Sequence, residues 1–182
     1  MNSTNCTASE LIELLLQASV KLLTTYRQLK VQQFGPGGSN VTTDFEALYA
    51  YKHGDYQRCL QLSTQNVHVL LNAKFMQIIA TFPEFIQLLD DDIVSLTALA
   101  LIINPQCRRC SLYTNITQLT LVLYLMTQCQ MKLHHSVSAV IQTLDYVKVA
   151  QRKHAGTFKY KPTLNQLTLK LIERKLATYI TN

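Results

Sequence analysis

The chain has 182 residues, 48% of them apolar and 15% charged, with a net charge of +6 and five cysteines. That much apolar side chain offsets the entropy of folding and excludes wholesale disorder. The odd cysteine count argues against a disulfide framework, and no apolar run reaches the roughly 20 residues that cross a bilayer.

Residues 1–33 read as an amphipathic N-terminal helix. Thr7 and Glu10 form a capping box, and Leu11, Leu15, Ala18, Leu22, Tyr26 and Leu29 follow at three- and four-residue spacing. The start is polar and lacks the basic and apolar blocks of a secretory signal. The sequons at Asn2, Asn5, Asn40 and Asn115 are therefore read as coincidence, and a cytoplasmic location is expected. Residues 34–42, rich in Gly, Pro and Ser, form a linker. Residues 43–182 are expected to be a domain of helix hairpins.

Its first helix is predicted to start at Thr43, with Glu46 completing a second capping box. It runs through Phe45, Leu48, Ala50 and Tyr51 to His53. Gly54 suits the left-handed residue that closes a helix, and Asp55 can cap the next one. So short a link sets the two helices antiparallel.

The segment ALYAYKHGDYQRCL at 47–60 resembles the middle of a tetratricopeptide repeat. Ala47, Gly54, Tyr56 and Cys59 fall on the family's small residue, Gly-Asp-Tyr turn and second small residue. Cys59 stands where the family usually has Ala, a tolerated change because free Cys behaves as a small hydrophobe. The family's early Trp and closing Pro are absent. The likeness covers one unit of about 34 residues. It implies stacked antiparallel hairpins whose groove binds a peptide or helix of another protein. Tyr49, Lys52 and Gln57 are the candidate contact residues near this hairpin.

Further on, Pro83 suits the first turn of a helix through Phe85, Ile86, Leu88 and Leu89. Asp90, Asp91 and Asp92 then favour the positive end of a helix that carries Ile93, Val94, Leu96, Leu99 and Ile102 and stops by Pro105. Asn115 and Gln118 predict another start. There Leu119, Leu121, Leu123 and Leu125 alternate like a strand, while Thr117, Thr120, Tyr124 and Thr127 trace a helical line, and helix is preferred. Helices at 136–153 and 163–179 complete an all-α chain. The run Gln118-Leu-Thr-Leu-Val-Leu returns as Gln166-Leu-Thr-Leu-Lys-Leu, as first helices of successive units would.

Motifs for chemistry are sparse. Cys107, Cys110, Cys129 and His134 have spacing that suits tetrahedral zinc, but a buried structural Cys129 is the preferred reading, and no cofactor is assigned. No phosphate loop, zinc-helix motif or carboxylate pair with a base is present, so enzymatic activity is not expected. The expected function is a non-enzymatic protein–protein interaction module. Two alternatives stand. One is nucleic-acid association through the basic C-terminal segment from Lys148 to Lys175, which includes Lys159 and Lys161. The other is that the chain is a fragment of a larger helical array.

Overall fold

A computed structural model describes residues 39–72, 91–108, 116–157 and 163–181, together with Glu10, Leu14, Gln17 and Ala18. Among these the chain is all-α. The helices are α1 (Ser39–Lys52), α2 (Tyr56–Asn72), α3 (Asp91–Ile103), α4 (Gln118–Lys132), α5 (Val137–Thr157) and α6 (Thr163–Thr181). The four N-terminal residues are helical and exposed. The rest of the amphipathic stripe and the helix expected after Pro83 lie outside the described residues.

Local chemistry accounts for most boundaries. Gly54 takes φ of +77°, Gly54 N–H bonds to Tyr51 O at 3.1 Å, and Asp55 N–H bonds to Ala50 O at 2.9 Å. That pair of bonds is a Schellman closure, which favours glycine at the left-handed position. Asp55 then caps α2, its Oδ1 accepting from Arg58 N–H at 3.1 Å. Asp91 and Asp92 occupy the first turn of α3, where negative charge suits the helix dipole. Two starts differ from expectation. The first hairpin helix begins one turn early, so Ser39 to Thr42 belong to it rather than to the linker, and Thr43 and Asp44 are buried inside it. The fourth helix is capped by Thr117 rather than Asn115, because the Thr117 hydroxyl accepts from Thr120 N–H.

The helices form two layers. The starts of α1, α4 and α6 lie side by side, joined by Asp44 to Gln118 and by Thr117 to Asn165. These three helices therefore run parallel in one row, with α4 in contact with both neighbours. Helices α2 and α5 form the second row, where the His68 and Tyr146 rings meet edge to face at 5.7 Å. Among the described helices, α2 packs about equally broadly against α4 and against α1. Helix α3 lies outside this order. It packs on α6 and reaches α4 through Asp92.

Helix α4 is the centre. All of its residues from Gln118 to Gln130 are buried. A helix enclosed on every side has no reason to show a polar face, which explains its strand-like alternation of leucines. The threonine line noticed in the sequence points inward. Thr127 and, on the neighbouring helices, Thr143 and Thr168 return their hydroxyls to the carbonyl one turn back, at 2.9, 3.3 and 2.9 Å. That bond satisfies the hydroxyl within its own helix. No helix among the described residues is long and apolar enough to cross a membrane.

Candidate interaction surface

Helix α3 is apolar from Ile93 to Ile103 except at Ser95 and Thr97. Ile93 and Ala100, two turns apart, point into the core at 1% and 0% exposed. On the opposite side no described residue covers the helix. Val94, Leu99, Ile102 and Ile103 remain 46%, 41%, 71% and 58% exposed. A contiguous apolar strip of that kind on a folded chain marks a place where something else binds.

The helix is fastened at both ends. At its start the Asp92 carboxylate accepts from the Tyr124 hydroxyl at 3.2 Å and from Gln128 Nε2 at 3.3 Å. It also pairs with the Lys175 ammonium, which chiefly holds its carboxyl below the ordinary range. At its end Asn104 Nδ2 donates to Thr163 Oγ1 at 2.9 Å. The bare strip is thus presented by a helix tied to α4 and α6.

The residues proposed around the first hairpin are split in setting. Lys52 and Gln57 are exposed beside the Gly54 turn. Tyr49 is half-buried, its ring centroid 4.0 Å from that of His53, whose Nδ1 lies 2.9 Å from Tyr49 O.

The candidate zinc residues are not drawn together where they are described. Cys129 is fully buried and faces Cys59, and its thiol is pushed up by that contact and by burial. His134 is exposed and takes φ of +51°, at the position in the end of α4 that Gly54 holds in α1. The same two closing bonds recur there, His134 N–H to Met131 O and His135 N–H to Gln130 O. Cys107 is buried in the short 3-10 turn after α3, and Cys110 lies outside the described residues. No group of three His, Cys, Asp or Glu among the described residues could hold a metal.

The starts of the parallel row bury a polar belt. Asp44 accepts from Asn66 Nδ2 at 2.8 Å and from Gln118 Nε2, and burial pushes its carboxyl up to about 7. Beside it, Asn165 Oδ1 accepts from Thr117 N–H at 2.9 Å, while Thr117 Oγ1 lies 3.2 Å from His154 Nε2. Burial drives His154 down to about 4, so it is neutral at pH 7. A hydroxyl, an imidazole and an amide in sequence suggest a nucleophile and its base. Thr117 is only 1% exposed, however, and the amide oxygen is already bonded to the Thr117 N–H, so the group acts as a pin between helices.

The basic segment is only partly available to an anionic partner. Lys175 pairs with Asp92, and Lys153 donates to the Leu71 carbonyl. Lys170 and Arg174 are exposed one turn apart on α6, and Lys159 and Lys161 lie outside the described residues.

The sequence places Val94, Leu99 and Ile102 on the same helix as Ile93 and Leu96 without separating an exposed face from a buried one. The signal that would have separated them is the absence of any polar side on α3 without a loop pattern that encloses it. No family model matches the chain, and neither does any curated protein or solved structure.

Proposed function

We propose that the chain is a non-enzymatic interaction module, a tetratricopeptide-like scaffold that binds an amphipathic helix of another protein along the outer face of α3. The observation behind this reading is the bare strip of Val94, Leu99, Ile102 and Ile103 on a helix fastened at both ends. A face held in place before binding loses little conformational freedom on contact, which favours affinity. Exposed Asp91 at the head of α3 suits a partner helix with a cation beside its apolar stripe.

The repeat assignment draws support from the first hairpin. Ala47 and Cys59 are enclosed where α1 and α2 close, and Gly54 makes the turn. The parallel row also gives the echo at Gln118 and Gln166 a structural counterpart. Tyr49, Lys52 and Gln57 are a secondary contact region in this reading. The free thiols of Cys59, Cys107 and Cys129 accord with a cytoplasmic setting. The inward turn of Lys153 and Lys175 favours a protein partner over nucleic acid.

The test is a selection of displayed helical peptides against the chain and against an Ile102→Asp/Ile103→Asp variant. Enriched peptides should carry apolar residues at helical spacing, lose binding to the variant, and change affinity little from about 50 to 200 mM salt. Peptides indifferent to the variant would remove α3 from the account. Steep salt dependence would favour the nucleic-acid alternative. Concentration-dependent dimerisation abolished by the variant would assign the face to a second copy of the chain.

A further inference from the structure

Asp44 sits 5% exposed where three helices meet. From α1 its carboxyl reaches α2 through Asn66 Nδ2 at 2.8 Å and α4 through Gln118 Nε2. Both donors are neutral amides. Among the described residues no cation faces it. Arg58, the charged residue of α2, is exposed about two turns from Asn66, and Lys132, that of α4, is exposed at the opposite end from Gln118. His68 of α2 turns to Tyr146, Tyr124 of α4 donates to Asp92, and Cys59 and Cys129 are buried thiols. On α1 itself Glu46 is the other acid, and Tyr49, Tyr51, Lys52 and His53 lie towards the far end. In the belt His154 contacts Thr117 and is neutral at pH 7.

An anion held this way has lost its water without gaining an opposite charge, which favours the protonated form. The amide beside it points the same way. Gln118 Oε1 is buried without a partner. A carboxylic O–H can donate to that oxygen once the amide turns end for end, and a carboxylate cannot.

We propose that Asp44 is a proton-operated latch, which seats α1 on α2 and α4 as the neutral acid and loosens α1 as a unit when it becomes the carboxylate. Helix α1 is suited to open alone. It hangs from the Gly54 turn and lies over the seam between α2 and α4, and its buried side chains other than Leu48 and Asp44 are the small Thr43, Ala47 and Ala50. Once open, Asp44 returns to solvent and to its ordinary 3.8, whereas burial in the closed state pushes it to about 7. Closed α1 therefore holds a proton that open α1 releases. Closure weakens as pH rises from 3.8 to about 7 and changes no further above that. His154 stays buried between α4 and α6 when α1 leaves, so local opening answers to Asp44 alone. Global unfolding exposes both groups, and their opposite slopes offset each other.

The experiment is hydrogen exchange of the full chain from about pH 4.5 to 8, with each amide's rate corrected for the intrinsic effect of pH. Protection across 39–52 should fall by up to about ten-fold per pH unit and level off near pH 7. Protection across 118–132 should change little up to about pH 6.5. Asp44→Asn, which keeps the shape of the neutral acid and cannot ionise, should make α1 protection independent of pH. If that variant fails to fold, carbon-13 NMR of the Asp44 carboxyl in the wild type decides, because its titration should end the fall in α1 protection. Protection of α1 that ignores pH or moves in step with α4, a variant that keeps the wild-type slope, or a carboxyl that titrates near its ordinary value would overturn the proposal.

Discussion

Helices α3 and α4 are both rich in leucine, and neither has a clear polar side, yet their fates differ. Helix α4 carries more polar residues, including Thr120, Tyr124, Thr127 and Gln128, and it is the one enclosed from Gln118 to Gln130. The more uniformly apolar α3 leaves Ile102 and Ile103 largely in solvent. Burial here follows position in the two layers rather than hydrophobicity. Helix α4 packs against α1, α2, α5 and α6, and its Tyr124 and Gln128 donate to Asp92 of α3, while Thr127 is satisfied within its own helix. Among the described residues helix α3 has neighbours on one side only.

The widest gap between the two helices should appear on truncation. Leu123→Ala on α4 should cost about 3 to 4 kcal/mol, as a cavity forms in a closely packed site. Ile102→Ala on α3 should change stability by less than about 0.5 kcal/mol. Urea unfolding measures both, and similar losses would erase the contrast.

Acidity should distinguish them next, because the start of α4 lies between two oppositely perturbed groups. Asp44 is raised from 3.8 to about 7, so its contribution to stability is full below pH 3.8 and is lost as pH rises to 7. His154 is lowered from 6.5 to about 4, so its contribution is full above pH 6.5 and is lost as pH falls to 4. Between those limits folding adds a proton at Asp44 and removes one at His154, and the two slopes oppose. Asp44→Asn should leave stability rising with pH across this window, at up to about 1.4 kcal/mol per pH unit. His154→Gln should leave it falling. Parallel slopes in the two variants would contradict the assignment.

A smaller effect should follow from Asp92→Ala, at about 1 kcal/mol, since the carboxylate is partly open to solvent that screens its ion pair. Hydrogen exchange should then quicken across 93–103 and leave α4 unchanged. Equal quickening in both helices would mean that α3 is part of the central unit. Last, His134→Gly at the end of α4 should stabilise the chain by about 0.5 to 1 kcal/mol, because glycine takes the left-handed conformation without strain. A calorimetric midpoint that fails to rise would point to a role for the His134 ring.

What the sequence disclosed was what local chemistry decides. Gly54 and Asp55 identify a closure and a cap within a few residues, and Asp91 and Asp92 with Pro105 bracket α3. The span of α6 was legible nearly to both ends, whereas α5 runs one turn past the expected 153, to Thr157. The interior of α4 was ambiguous because enclosure removes the periodicity on which helix recognition depends. The polar belt was invisible, since Asp44, Asn66, Gln118, His154 and Asn165 are brought together only by the packing of five helices. Linear spacing also grouped Cys129 with His134. In space, one faces Cys59 inside the seam and the other closes a helix at the surface.

That belt also fixes how far each helix can slide. A row of parallel helices with leucine-rich flanks offers many nearly equivalent offsets, because one leucine fits about as well as the next after a turn's slip. Asp44 opposite Gln118, and Thr117 opposite Asn165, permit one offset. A slip of one turn, about 5.4 Å, would leave a carboxyl and several amides in the core without partners. The belt thus acts as an alignment mark, whose contribution is a single arrangement rather than greater stability.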